Sequence, residues 1–192
     1  MKIIIAGAYA IGTHLAKLLS RNNHDIVLID QSEEQLQNIS NDYDLLTMHA
    51  LPSSIKALKD AGAENADLFI AVTPDENMNM NCCAIAKVMG AKKTVAKVDN
   101  YEYMNPDYTE FFKNMGISSL IYPEMLAARD ITNGLKMSWV RQRWDVHDGA
   151  LVMLGIKLRE TCEILNQPLK ELCGPDVPYH VVAIKRGGET II

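Results

Sequence analysis

Apolar and polar positions along this chain change their spacing repeatedly, and each change marks an element. Ile3-Ile4-Ile5-Ala6 is an unbroken run that stops at Gly7, the pattern of a short strand buried on both faces of a parallel sheet. Helical spacing follows, with Ile11, Leu15, Leu18 and Leu19 on one face and the polar stretch Asn22-Asn23-His24 as its stop. The next apolar run, Ile26-Val27-Leu28-Ile29, closes on Asp30. Ser32 then reads as the N-cap of a helix carrying Leu36 and Ile39, Leu45-Leu46-Thr47-Met48 as a third strand, and Pro52-Ser53-Ser54 as the opening of another helix. Beyond Gly62, Leu68 to Val72 predicts a fourth strand, followed by a helix over Asn77 to Met89 that ends at Gly90. Thr94-Val95-Ala96 predicts a fifth strand, residues 100–116 have short-helical texture, and Ser119-Leu120-Ile121 predicts a sixth. Repeated β-α units of this kind imply a parallel sheet with helices on both faces, because right-handed crossovers put them there.

The texture changes after Pro123. Ala127, Ile131, Leu135 and Trp139 step by four, which predicts one helix from Pro123 to about Val140 that links two modules. Past Ala150, Leu151 to Leu158 reads as a strand, Leu165 to Leu172 as a short helix and Tyr179 to Lys185 as another strand. Arg186-Gly187-Gly188-Glu189 is a hairpin turn signal, and Thr190-Ile191-Ile192 starts its returning strand. The expected organisation is a module over 1–122, a linking helix over 123–142 and a small α/β module over 143–192. A sequence that stops inside a hairpin carries the expectation of a truncated C-terminal module.

Composition narrows the function classes. With 192 residues, 48% hydrophobic content, 22% charged content and a formal net charge of -5, disorder and collagen-like repeats are excluded. The acidic balance and the lack of a long basic run argue against nucleic acid as a partner, since duplex affinity depends on Lys and Arg displacing counterions. No apolar run reaches the roughly 18 residues of a membrane span, and the apolar start is too short for a signal peptide, so a cytoplasmic protein is expected. Cys82, Cys83, Cys162 and Cys173 have no zinc-finger spacing and read as reduced thiols, with Cys162 and Cys173 able to pair only in an oxidising compartment. No metal site and no catalytic residue is expected.

The informative segment is Gly7-Ala8-Tyr9-Ala10-Ile11-Gly12, set between the first strand and the first helix. In a Gly-x-Gly-x-x-Gly turn the first glycine makes the bend, the second admits a pyrophosphate and the third lets helix and strand pack closely. Here tyrosine holds the second position. The helix start still offers unpaired amides and partial positive charge to an anion, while the steric half of the site is compromised. Asp30, at the end of the second strand, is placed to accept from ribose hydroxyls and to repel a 2′-phosphate, which favours NAD over NADP. The order strand, glycine turn, helix, strand and terminal acid predicts a Rossmann-like, doubly wound dinucleotide-binding fold.

Met1-Lys2-Ile3-Ile4-Ile5-Ala6-Gly7, Asn23 to Asp30, Ala61 to Thr73 and Asp75-Glu76-Asn77 resemble the TrkA family. These are the regulatory subunits of Trk/Ktr potassium uptake systems, built from regulator-of-potassium-conductance domains. The resemblance implies an NAD(H)- or adenine-nucleotide-binding Rossmann domain, with ATP and ADP as the other ligands, followed by a small α/β domain. It also implies dimers and higher rings beneath a membrane potassium transporter, at the inner face of the cell membrane. Matched position by position, Gly7, Ala8, Tyr9, Ala10, Ile11 and Gly12 correspond to the phosphate loop, Asp30 and its neighbour Gln31 to the ribose contact, and Thr73 and Pro74 to the turn beside the nucleotide. Lys97 stands where relatives often have arginine near the phosphates, keeping the charge without the bidentate fork. Ala50-Leu51 stand where relatives have a glycine-containing loop near the adenine, so with Tyr9 they add bulk at the mouth of the cleft. Weak binding, a rearranged loop and a disabled site all remain open.

The other candidates have ordinary readings. His14 and His49 lie near the expected cleft without a nucleophile partner, and Met78, Met80 and Met89 read as packing. Lys136, Arg141 and Arg143 near Trp139 and Trp144 read either as a partner contact or as a solvated helix end. A NAD-dependent oxidoreductase would need a substrate pocket with an acid or base facing the nicotinamide, for which the last 50 or so residues offer little room. The expectation is a regulatory, non-enzymatic protein. The alternatives are that enzyme and a structural oligomerisation module whose nucleotide site is inactive.

Overall fold

The computed structural model describes residues 1–40, 43, 45–136, 139–147, 149–174 and 177–192, the side chains of residues 38, 40 and 136 excepted. The chain divides into two units, Met1–Arg129 and Asp130–Ile192.

In the first unit β1 (Lys2–Ala6), β2 (Asp25–Asp30), β3 (Leu46–His49), β4 (Leu68–Ala71), β5 (Lys93–Lys97) and β6 (Ser119–Ile121) form one parallel sheet in the order β3-β2-β1-β4-β5-β6. Between them run α1 (Ala10–Ser20), α2 (Glu33–Ser40), α3 (Ile55–Asp60), α4 (Glu76–Met89) and α5 (Thr109–Asn114), with single 3-10 turns at Ala63–Asn65, Tyr101–Met104 and Pro106–Tyr108. α6 (Pro123–Lys136) follows β6. Strand order reverses between β1 and β4. An open sheet leaves a crevice at that point, beyond the carboxyl ends of its strands.

The pleat sorts the apolar runs onto two faces. Ile4 lies in register with Val27 on one side and Phe69 on the other, and all three belong to a core cluster shared with Leu58, Cys82, Cys83 and Phe112. Its neighbours Ile3 and Ile5 face the opposite way, in a second cluster with Ile26, Leu28, Ile39 and Ile70. Because both faces are covered, the central strands read in sequence as unbroken apolar runs instead of alternating ones. Each such side chain taken out of water contributes roughly 1.5–3 kcal/mol, which makes β1, fully enclosed from Ile3 to Ala6, the anchor for the turn that follows it.

Local signals set the helix ends. Ser54 Oγ accepts from the Ala57 amide to cap α3, and Asp75 Oδ1 accepts from the amides of Asn77 and Met78 to cap α4. α4 stops at Gly90, whose φ of 123° is costly for a residue with a Cβ.

The second unit contains a β7 (Val140–Val146) and β8 (Leu151–Ile156) hairpin, a single helical turn α7 (Leu169–Leu172) and a β9 (Ile184–Arg186) and β10 (Glu189–Ile191) hairpin. Gly187 and Gly188, at φ 59° and 93°, form the tight turn expected from their sequence. None of the unit's described residues is buried.

Three expectations are corrected here. α6 ends at Lys136, with residues 137 and 138 outside the described set, and Val140–Val146 is a strand instead of the end of a helix. Arg141, Arg143 and Asp145 alternate with Gln142, Trp144 and Val146, a period of two that the four-residue spacing through Trp139 had masked. The helix expected over Leu165 to Leu172 forms only its last turn, since a proline disfavours helical backbone in the residue before it and Pro168 sits at the N-cap. The strand expected over Tyr179 to Lys185 pairs only from Ile184 onward.

Candidate functional site

The β1–α1 turn is held in place from three directions. Gly7 has φ 108°, and a Cβ there would stand 2.8 Å from the Thr73 amide nitrogen at the end of β4. A Cβ on Gly12 would overlap the Gly7 carbonyl oxygen. Both glycines are therefore fixed by close approach of backbone to backbone, the first as a bend and the second as a helix–strand contact. The Gly7 amide donates to the Ile29 carbonyl at 2.8 Å, and the Ala8 amide donates to Asp30 Oδ2 at 2.7 Å.

Asp30 thus joins the glycine turn to the end of β2. Its carboxylate is buried, with Oδ1 accepting from the Ser32 amide at 2.8 Å, and its carbonyl accepts from the Ala50 amide at 2.9 Å. Each carboxylate oxygen retains a second lone pair for an outside donor. On the next strand the His49 Nε2 lies 3.0 Å from the Gln31 carbonyl, which ties β3 to the same edge.

The opposite wall is the turn after β4, and it is organised by one side chain. Asn79 on α4 is fully buried; its Oδ1 accepts from the Thr73 amide at 2.8 Å and the Thr73 hydroxyl at 2.7 Å. Its Nδ2 donates to the carbonyls of Thr73 and Lys97, each at 3.0 Å. The ends of β4 and β5 are therefore locked together behind Pro74 and Asp75.

Between these walls lies a pocket of about 260 Å³ lined by Tyr9, Asp30, Gln31, Pro52, Thr73, Pro74, Asp75 and Met78. Its position is the crevice where strand order reverses. α1 points its N-terminus at the same place, and no side chain caps it: the N-cap residue is Tyr9, and the first turn has no acidic residue. The Thr13 amide donates to the Tyr9 carbonyl at 2.8 Å, while those of Ala10, Ile11 and Gly12 have no partner among the described residues and can receive an anion. An uncapped helix start, a buried carboxylate with spare lone pairs, and apolar Pro52 and Met78 beside them match what an adenosine phosphate needs. The volume suits one nucleoside half at a time, being below the roughly 300–1,000 Å³ usual for larger ligands.

Of the residues singled out from sequence, Tyr9, Asp30, Gln31, Thr73 and Pro74 are brought together in this pocket, and Gly7, Ala8, Ala10, Ile11 and Gly12 form the turn beneath it. Ala50 is linked to Asp30 through its amide, while Leu51 is 45% exposed and neither residue lines the pocket. Lys97 also lies outside the lining and is paired with Asp99. His14 is exposed and is not among the lining residues. Arg143 binds Asp145 at 2.8 Å along β7. Sequence reading missed Pro52, Asp75 and Asn79, and took Met78 for packing alone. Asn79 shares a helix face with Cys82, Cys83 and Ala86, the signal that marks it as inward-facing.

The adjacent thiols Cys82 and Cys83 play no part in the pocket. Burial pushes the Cys82 thiol up to about 12 and the Cys83 thiol higher still, so neither is a nucleophile near neutral pH.

A family model for the TrkA-N domain matches residues 3–123. The chain belongs to the TrkA-N family. Among curated relatives, the Trk system potassium uptake protein TrkA of Haemophilus influenzae is 40% identical over 134 residues, covering 69% of this chain and 29% of that protein. A TrkA homolog from Methanothermobacter thermautotrophicus is 29% identical over 192 residues, covering all of this chain and 86% of that one. One from Archaeoglobus fulgidus is 34% identical over 190 residues, covering 98% of this chain and 42% of its own length. The chain thus spans less than half of the Haemophilus and Archaeoglobus proteins. Among solved structures, the TrkA-N domain of the inner membrane protein ybaL from Escherichia coli superposes with a TM-score of 0.60 at 16% identity, over 70% of this chain and 96% of that one. The GsuK channel bound to NAD gives 0.52 at 18% identity, over 62% and 21%. The Shewanella denitrificans Kef CTD in its AMP-bound form gives 0.53 at 18%, over 72% and 82%. At these identities the superpositions establish a shared TrkA-N and regulator-of-potassium-conductance fold. No described helix of this TrkA-N chain is long and apolar enough to cross a membrane.

Proposed function

We propose that this chain is the nucleotide-sensing part of a Trk-type potassium uptake system, acting on a membrane potassium transporter from the cytoplasmic side. The observation that carries the reading is the pocket where strand order reverses, bounded by the uncapped start of α1 and by Asp30. Asp30 accepts from the ribose hydroxyls and the amides of the first turn of α1 face the phosphate. NAD or NADH is the expected ligand, with ATP and ADP as the competing class. The names of the Trk relatives support the transporter partner, and the NAD- and AMP-bound fold neighbours support the ligand class. The module works in dimers and higher rings, where paired copies can take two arrangements.

The protein needs no turnover to do this. A nucleotide that binds one arrangement of paired modules better than the other shifts the balance between them by its differential affinity, and the transporter reads that balance. Asp30 ties the pocket to β2, and Asn79 ties it to β5, so occupancy bears on the sheet's whole carboxyl edge. Titration calorimetry with NAD, NADH, ATP and ADP tests the reading, run on the natural chain and on Tyr9→Gly. Saturable heats that strengthen in Tyr9→Gly support it. Heats absent from both proteins refute it and favour an oligomerisation module with an inactive site. Turnover of NADH with a small substrate would favour the oxidoreductase.

A further inference from the structure

The β7–β8 hairpin leaves both of its backbone edges and much of its apolar surface without cover. It is a sheet of two strands alone, and no described residue of the second unit is buried. Two strands are marginal in water, and a sheet becomes stable in its own right from about three strands with an apolar face. Register sets Trp144 opposite Met153 and Val146 opposite Leu151, so these side chains share one face of the hairpin, and all of them are exposed.

The two edges differ in kind. β8 reads Leu151-Val152-Met153-Leu154-Gly155-Ile156, with no charge and no proline. The backbone groups it turns away from β7 have no partner among the described residues. An uncharged open edge of this kind is a template for another strand. β7 carries the features that blunt an edge: Arg141, Arg143 and Asp145 along its length, and a break in register between Val140 and Gln142.

Self-complementarity selects the occupant. Two copies of one strand pair antiparallel about a two-fold axis, which sets each residue opposite a residue of the same strand. β7 paired in this way about its middle residue would set Arg143 against its own copy, and like charges directly opposite are destabilising. β8 has no charge to repel its copy. Opposed residues must share a face of the sheet, so the two registers with most overlap put either Met153 or Leu154 on the axis.

We infer that β8 is a self-pairing edge: two copies of this chain join through it into one antiparallel sheet, the two β8 strands adjacent at its centre and a β7 on each side. Trp144, Val146, Leu151 and Met153 of both copies then line one face of that sheet. The joined sheet is bounded on both sides by the charged β7, so no open β8 remains to recruit a third copy. The pairing is independent of the nucleotide pocket, whose lining lies in the first unit.

Hydrogen exchange of the whole chain, read by mass spectrometry on the peptide spanning residues 151–156, tests this with the natural protein, Met153→Lys and Met153→Glu. Met153 is exposed, so the hairpin accommodates either side chain, and circular dichroism checks that each variant is folded. In the natural protein the amides turned away from β7 should exchange roughly tenfold more slowly at high concentration than after a roughly hundredfold dilution, as mass action requires of a modest dimer. Each variant alone should exchange fast at both concentrations, and an equimolar mixture should regain the slow exchange, because lysine then meets glutamate across the axis. Slow exchange at both concentrations supports the pairing only where the variants lose it and their mixture regains it. Fast exchange by the natural protein at both concentrations shows a bare edge and overturns the proposal. Slow exchange that persists in both variants overturns it as well, placing another segment of the same chain on β8. A mixture that stays fast overturns it too, since the strand opposite is then not a second β8.

Discussion

Replacing Asn79 with alanine removes four hydrogen bonds at once, to the amide, hydroxyl and carbonyl of Thr73 and to the carbonyl of Lys97. The Thr73 hydroxyl keeps a partner in the Asp75 carbonyl. The Thr73 amide and the two carbonyls do not. Each polar group left unpaired in the interior costs about 1–3 kcal/mol, and water entering from the pocket relieves part of the carbonyl share. A net loss of about 3–5 kcal/mol is expected, a large fraction of a domain's usual ~5–15 kcal/mol. With a urea slope of about 2 kcal/mol/M, the midpoint falls by roughly 2 M. The assay is far-ultraviolet circular dichroism, which follows the helices and strands of the first unit directly; both tryptophans, Trp139 and Trp144, lie in the second. Asn79→Asp is the companion: it keeps the acceptor but points a carboxylate at two carbonyls, so its deficit should shrink as the pH is lowered. A loss below about 1 kcal/mol in Asn79→Ala, at an unchanged slope, would show that the β4–α4 turn is held by something other than this side chain.

Other substitutions probe the remaining links. Gly12→Ala puts a methyl group into the Gly7 carbonyl, and the protein should be recovered largely insoluble or with a much lower melting temperature; near-natural melting would show that α1 can slide off β1. Asp67 accepts from Lys92 and from the Lys2 amide, and these hold its carboxyl below the ordinary value of 3.8. The stabilisation this gives is complete above that value and fades as the pH falls through the depressed one. The melting temperatures of the natural protein and Asp67→Asn should therefore differ by a constant amount at neutral pH and converge only in strong acid. Among the four free thiols, Cys162 and Cys173 should react quickly with a colorimetric disulfide reagent, and Cys82 and Cys83 only after denaturation; four fast thiols in the folded protein would contradict the burial of α4.

The sheet was legible because its strands are enclosed on both faces, which turns Ile3 to Ala6, Ile26 to Ile29 and Phe69 to Val72 into unbroken apolar runs between turn residues. Glycine and acid at the ends of two such runs marked one end of the sheet for attention, and the Ala8–Asp30 hydrogen bond that joins them was not foreseen from the sequence. What sequence hid was polar and inward-facing. Asn77, Asn79 and Asn81 look alike in the chain, and only the arc shared with Cys82, Cys83 and Ala86 separates Asn79 from its solvated neighbours. The second unit was harder to read because its two-stranded hairpins bury no described residue, and the alternation along β7 spans only seven residues. An apolar spacing of four from Ala127 ran on through Trp139 and extended the helix past its end at Lys136.

A crystal structure grown with saturating NAD tests the central claim most directly. The account requires electron density for a ribose hydroxyl within hydrogen-bonding distance of the Asp30 carboxylate, with the linked phosphates against the amides of Ala10 to Gly12. Dinucleotide density elsewhere on the protein, with that pocket left to solvent, would contradict it.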